Sequence, residues 1–500
     1  MLPKKRFLNS LISLLGGASC LWAGVVLCLN VLSAPLFFDE HQHTNCLWLV
    51  SIGRIPHTDF WSNYPALGYV FTLPFFRLLP ESIYSVFALR FLALSFLMGL
   101  TGVLRFHARN LRVHWVWGVL PLAVVVLTPE VSTLVTEFRT DAYAALMAIL
   151  ALSIMFKEPT FLRSALSVGL SVVSLVVMPK YIYPLLLANL AYLGYGCLKL
   201  KRVKQSVVSA VTGALVALLL SHFLLSTAGT TLWEDVYWSS IIQKKYLSHS
   251  ARTEIVGSTV DTVTAYFSQF WWIGLILLLG VAGWIVIEKK KRGIWLWMGG
   301  AVIAGAILSW IAGPFPARQY LVPGLFCLIL FTPYIGSLLK NKTINASGAL
   351  LLVVLLTQMN IQSTRETAAK LASGQAFNDF ALRQEVLNLI PRTERVVGVW
   401  PSHPTLRENL TFVGFDELRG KPRGFLPVIP INSPVWNLFQ PNHLAISLES
   451  SPPASIAVPS DHDYPLGWNK VLLNFVRRHA DKYQLIDFKG EKIYIRKDLL

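Results

Sequence analysis

The chain has 500 residues, of which 54% are hydrophobic and 14% charged, and its formal net charge is +17. Soluble domains carry roughly a quarter charged residues, so this composition excludes an ordinary soluble protein. The positive charge does not imply nucleic-acid binding, because the cations fall in alternate loops between apolar segments rather than on one basic face.

Stretches approaching the ~20 apolar residues needed to cross a bilayer recur near 10–36, 83–106, 115–129, 141–157, 164–178, 181–197, 206–226, 266–287, 294–312, 320–339 and 344–360. They predict about eleven transmembrane helices; the short pair flanking Pro179 also reads as a broken or re-entrant unit. Lys4, Lys5, Arg6 and the clusters at 105–112, 157–163, 199–204, 289–292 and 340–342 place eighteen Lys/Arg in alternate loops, with only Glu158 and Glu288 as acids. This bias puts the N-terminus in the cytoplasm and turns 34–82, 130–140, 227–265, 313–319 and everything after about 361 outward from a plasma (inner) membrane. The KKR-led first apolar run is too long for a signal peptide and lacks a clear cleavage site, so an uncleaved first helix is expected.

The first apolar run ends on Asp39-Glu40. Carboxylates at the lip of a bilayer are costly to desolvate and usually have a partner or a task. Beyond them, the pattern up to Gly53, with Trp48, Leu49 and Ile52, predicts an amphipathic helix on the membrane surface, either sealing the bundle or carrying function. His41, His43 and His57 share this loop. His43 lies four residues after Asp39, so a hydrogen-bonded Asp39–His43 pair is favoured over a metal site, which no tight His pair supports.

The second outer loop carries EFRTD, where Glu137 and Asp141 would share a helical face around Arg139. One reading is a helix-capping Asp141 with a local Glu/Arg ion pair. The other is a two-carboxylate site with Asp39 that orients an acceptor hydroxyl, accepts its proton or holds a divalent metal, with Asp39 and Glu40 as ligands if any. Candidate cations for an anionic leaving group are Arg139, Lys180 in MPKY and Arg318 in PARQY. The last two also read as snorkelling anchors. Arg54 and Lys244-Lys245 are weaker candidates, and the sequon at Asn409 reads as chance.

Residues 1–360 thus read as a polytopic membrane domain and 361–500 as a soluble extracytoplasmic domain, with 17 Lys/Arg against 14 Asp/Glu. The second part predicts a small α/β fold: a helix near 377–390, strands at 395–399, 443–447 and 455–458, a helix near 466–483, and a hairpin over 484–497 turning at Lys489-Gly490. The stretch between Pro422 and Pro465 reads as loops. No cysteine lies in this part, so no disulfide framework is expected.

The acidic pair after the first span, the helix behind it and GRIPHTDFWSNYPALGY resemble the first outer loop of GT-C glycosyltransferases. The resemblance is to the group that includes protein O-mannosyltransferase-like and lipid A aminoarabinose transferase-like enzymes. The positions that carry it are Asp39, Glu40, Gly53, Pro56, Asp59, Phe60 and Pro65. EFRTDAYAALM, MPKYIYPLLL and RQYLVPGL, the last containing Arg318 and Tyr320, are similar in kind and order. The resemblance covers most of residues 1–340. It implies a sugar donor linked to polyprenyl phosphate and a lipid, glycan or protein acceptor outside the cytoplasm. It makes Asp39 the catalytic base or acceptor-binding carboxylate, with Asp141 in support. Glu40, His43, Asp59, Glu137, Arg139, Lys180, Arg318 and Tyr320 become candidate substrate contacts. One departure stands out: aminoarabinose transferases tend to read Glu-Lys where this chain has Asn63-Tyr64, so Lys180 or Arg318 would have to meet the donor phosphate. The rival readings are a transporter or lipid flippase, which would place charges near the midplane of paired repeats, and a non-catalytic envelope assembly protein working through its C-terminal part.

Overall fold

The computed structural model describes residues 2–60, 62, 64–237, 252–291, 294–311, 321–339, 342–398, 403–410, 441–457, 468–488 and 491–500. The chain is mostly helical. In order, the helices are α1 (Leu2–Ser33), α2 (Phe38–Ser51), α3 (Leu67–Phe76), α4 (Ser85–Asn110), α5 (Val116–Val126), α6 (Pro129–Thr136) and α7 (Asp141–Met155). There follow α8 (Phe161–Val177), α9 (Ile182–Leu198), α10 (Val203–Ser226), α11 (Leu232–Val236), α12 (Arg252–Gln269), α13 (Trp271–Lys291) and α14 (Ile294–Ile311). The last are α15 (Leu321–Leu328), α16 (Pro333–Leu338), α17 (Lys342–Ser373), α18 (Gln375–Leu389), α19 (Pro441–Ser450) and α20 (Trp468–Arg478). Strands β1 (Arg395–Val397), β2 (Glu408–Asn409), β3 (Ser455–Ala457), β4 (Tyr483–Phe488) and β5 (Glu491–Arg496) complete the described elements.

Among the described residues, six helices are long and apolar enough to cross a membrane: Ser10–Ser33, Ser85–Asn110, Pro179–Leu198, Val203–Ser226, Leu321–Leu338 and Asn345–Ser373. A seventh is reached if Asp261–Gln269 and Trp271–Ile287, bent by 95°, count as one span. Other expected spans appear as shorter apolar helices, such as α5, α7 and α8, and proline explains two of the breaks. Thr128 precedes Pro129 and is extended (ψ 141°), so the stretch at 115–129 divides into α5 and the short α6. Met178 precedes Pro179 and is extended as well (φ −156°, ψ 108°), which ends α8 before the Pro179–Tyr181 turn.

The chain forms two compact units, each built from three segments. The first comprises Met1–Leu32, Arg90–Ser221 and Thr253–Ala372. Its helices meet through small residues. Ser164, Ser167, Ser171 and Ser174 form the buried stripe of α8. Ser174 donates to the Ala144 carbonyl of α7 (2.9 Å), and Ser171 accepts from Asn189 of α9 (2.9 Å). A Cβ at Gly213 of α10 would collide with the Ala165 carbonyl of α8, and one at Gly305 of α14 with the backbone of Pro184 in α9. Such close backbone approach is how membrane helices gain packing energy where lipid offers no hydrophobic driving force.

The second unit comprises Ser33–Leu89, His222–Arg252 and Ser373–Leu500. Its sheet runs β2-β1-β3-β5-β4, with β1 parallel to β2 and β3, and β5 antiparallel to β3 and β4. Val386 and Ile390 at the end of α18 pack with Val396, Ala454, Ile493 and Ile495 to form its core. Residues 443–447, expected as a strand, lie instead in α19. Leu444 and Leu448 are buried at helical spacing while Ile446 points outward, so a period of 3.6 wins over a brief alternation. The β4–β5 hairpin is present, although its turn at Lys489-Gly490 lies outside the described residues, as does most of 422–465. Arg407 ties the 403–409 segment to this unit. Its guanidinium donates to the Leu387 and Ile390 carbonyls at the end of α18 and pairs with Glu81 at 2.6 Å.

Gly213→Ala is expected to cost about 1–3 kcal/mol by overpacking, read as a lower thermal midpoint of the detergent-solubilised protein. Gly24→Ala, whose Cβ would meet nothing within 4 Å, is the control. An unchanged midpoint in Gly213→Ala would refute the close approach.

Candidate functional site

In the first unit the acidic and basic residues of EFRTD and MPKY form one buried cluster. Glu137 is not helical: it follows α6 with ψ 152°, so it does not share a helical face with Asp141 as expected. What joins them is Arg139, whose Nη1 lies 3.4 Å from Glu137 and whose Nε lies 3.3 Å from Asp141. Asp141 opens α7, where the partial positive charge of a helix N-terminus favours a carboxylate. Its other oxygen accepts from Lys180 Nζ at 2.8 Å, delivered by the Pro179–Tyr181 turn. Glu137, Arg139 and Lys180 are almost fully shielded, and Asp141 keeps 17% of its side chain exposed. Two cations and two carboxylates thus balance in an apolar surrounding, which removes the penalty of an unpaired buried charge.

Asp141 also lines a cavity of about 30 Å³, otherwise walled by apolar residues such as Phe96, Leu100, Leu134, Val135 and Phe326. A larger groove of about 610 Å³ runs between α1, α4 and α5, lined by Leu21, Val25, Leu29, Phe91, Met98 and Val126 among others. Sequence reasoning missed one charge of this unit. Arg90, fully buried in α4, donates to the Val31 carbonyl at 2.7 Å.

In the second unit Asp39 and Glu40 occupy the first turn of α2, again at a favourable helix end. The remainder of α2 corrects the expected surface helix. Every residue from Glu40 to Val50 is buried, including Glu40, His41, Gln42, His43, Thr44 and Asn45, so no polar face meets water. His43 Nδ1 lies 3.2 Å from the Tyr69 hydroxyl, and its ring packs on Tyr64 at 4.2 Å. Tyr64 therefore packs against α2 through His43. On another side, His41 bonds Thr405 Oγ1 at 2.8 Å, and Asn45 donates to the carbonyls of Thr405 and Arg407. Arg54, beyond the end of α2, forks onto Glu408.

Asp59 is exposed and accepts from the Ile55 N–H at 2.8 Å, so it closes its own loop. His57, at φ 63°, reaches Asp235 Oδ1 at 3.3 Å, which also accepts from the Ala66 N–H. Sequence reasoning overlooked Asp235. The readable signal was the capping box Thr231-Leu-Trp-Glu234, which starts α11 and delivers it. Arg318, Tyr320 and Lys244-Lys245 lie outside the described residues. Among the described residues there is no group of three or more His, Cys, Asp or Glu side chains placed to hold a metal ion. The chain matches no protein-family model and has no significant match among curated proteins.

Burial drives the pKa of His41 well below its usual value, with the neighbouring His403 ring and the Arg383 guanidinium adding to the effect. Burial pushes His403 down to about 3, with Arg383 and Arg407 adding to the effect. The native protein therefore refuses protons that the unfolded chain takes up below about pH 6.5. Stability falls as pH drops below that value, by up to about 1.4 kcal/mol per pH unit for each histidine. The thermal midpoint should fall between pH 7 and pH 5, and His403→Asn should reduce that fall. An equal fall in the variant would remove His403 as its source.

Proposed function

We propose that the protein is a membrane glycosyltransferase. It transfers a monosaccharide from a polyprenyl-phosphate donor to a lipid, glycan or protein acceptor at the outer face of the plasma membrane. The observation that carries this reading is the convergence of Arg139 and Lys180 on one partly exposed carboxylate, Asp141, within an apolar unit. Two cations so held suit a phosphate that gains negative charge as it leaves the sugar. The apolar groove between α1, α4 and α5 offers hydrocarbon surface to a prenyl chain. Resemblance of the outer-loop motifs to GT-C enzymes supports the same reading.

In this reaction the acceptor oxygen bonds to the anomeric carbon and gives its proton to a carboxylate base while the bond to the polyprenyl phosphate breaks; the outer-loop resemblance assigns that base to Asp39. Arg139 and Lys180 take up the charge on the departing phosphate, and Asp141 holds the two cations in register before it arrives. Glu40, in the same helical turn as Asp39, is suited to orienting the acceptor.

The test incubates purified protein with a panel of polyprenyl-phosphate sugars and measures free polyprenyl phosphate. Asp39→Asn should abolish release while the protein still inserts into membranes; near-normal release would sink the mechanism. Lys180→Gln should lower kcat by about 10²–10³-fold, the usual loss for one oxyanion-stabilising donor. A full rate in that variant would take Lys180 out of the phosphate site.

A further inference from the structure

We infer that the C-terminal segment 403–409 is the positioning device for the helix that carries Asp39, with Asn45 and His41 as positioning residues. The inference rests on the proposed role of Asp39 as the base.

Helix α2 has 14 residues, a length at which an isolated helix is marginal in water, and its N-cap Phe37 supplies no side-chain hydrogen bond. Its buried polar side chains need partners, and four attachments come from the C-terminal part of the same unit. Before the helix, the Leu36 N–H donates to Asp379 at 3.4 Å. Two residues after Asp39, His41 meets the Thr405 hydroxyl. One helical turn on, the single amide nitrogen of Asn45 donates to the carbonyls of both Thr405 and Arg407. Past the far end, Arg54 forks onto Glu408 at 2.6 and 3.1 Å. Asp39 lies between the first two attachments, so both the rotation and the slide of its turn are fixed from the C-terminal side.

Thr405 bears a cost for this. It is fully buried at φ 63°, where a β-branched residue is a strained outlier. In that conformation its hydroxyl and its carbonyl both reach α2, at His41 and Asn45. The His403 ring holds it there by accepting from the Thr405 N–H at 2.9 Å, and Arg383 grips the His403 carbonyl at 3.1 Å. Strain maintained against a helix fits a need for geometry: catalytic groups must be held within about 0.5 Å of their productive positions.

The full-length protein is assayed with a polyprenyl-phosphate sugar, alongside hydrogen exchange of residues 39–45. Asn45→Ala should lower kcat about 10–100-fold, as a misplacement near 1 Å does, with the donor KM within about twofold and faster exchange across 39–45. Asn45→Gln, which keeps the amide donor, should recover part of the rate. Wild-type kcat and exchange in Asn45→Ala overturn the inference. Should that variant not fold, the more exposed pair decides: Arg54→Ala and Glu408→Ala should lower kcat equally and non-additively, and full rates in both overturn it. Full activity in Asp39→Asn would instead sink the assignment of the base, and the exchange data would still judge the clamp.

Discussion

Arg139 and Lys180 are buried among apolar helices, and a charge in that setting is tolerable only with an opposite charge in contact. Asp141 meets both, and Glu137 completes the balance. The chain geometry around them follows from this need. The Pro179 break ends α8 so that Lys180 turns onto Asp141, and α7 starts at Asp141 so that a helix end also faces the carboxylate. Were α8 to continue through residue 180, the lysine would be carried onto a helix flank with no assured carboxylate. The same proline that disturbs the count of membrane spans therefore makes the ion cluster possible.

A related constraint shapes α2 in the second unit. Its first half is polar although it is buried, since Glu40 to Asn45 all carry polar side chains. Such a helix cannot be held by the hydrophobic effect alone; it is held by directional bonds, from Tyr69 on one side and Thr405 and Arg407 on another. Directional bonds fix rotation where apolar contact leaves slack. Burial keeps His41 and His403 neutral, and Arg383, which faces both, adds to the effect.

The helices of the membrane-like part were legible because long apolar runs are a strong signal, and β1, β3, α18 and the terminal hairpin were legible from local patterns. Lengths were not. Hydropathy reads through Thr128-Pro129, whereas the backbone stops there. Residues 443–447 misled because Leu444 and Ile446 alternate, and only Leu448 discloses the helical period. At the candidate site, the identities of Arg139, Asp141 and Lys180 were readable, but their contact joins segments almost forty residues apart. The partners of α2 were harder still, since His41 and Asn45 bond to residues about 360 positions away. No local periodicity encodes such a pairing.

The two acidic positions singled out in the sequence have unlike surroundings, and this bears on how labour would divide in the proposed transfer. The negative charge of Asp141 is engaged by two cations, Arg139 and Lys180. Proton uptake at Asp141 would weaken both of these buried charge pairs, which argues against that carboxylate as the proton acceptor in the proposed transfer. A donor phosphate can replace Asp141 as the partner of those cations without stranding them. Asp39, half-buried in the first turn of α2, is placed by a helix that directional bonds hold further along. Under the proposed function, a mechanically fixed carboxylate suits proton acceptance, and an electrostatically held ion cluster suits phosphate handling.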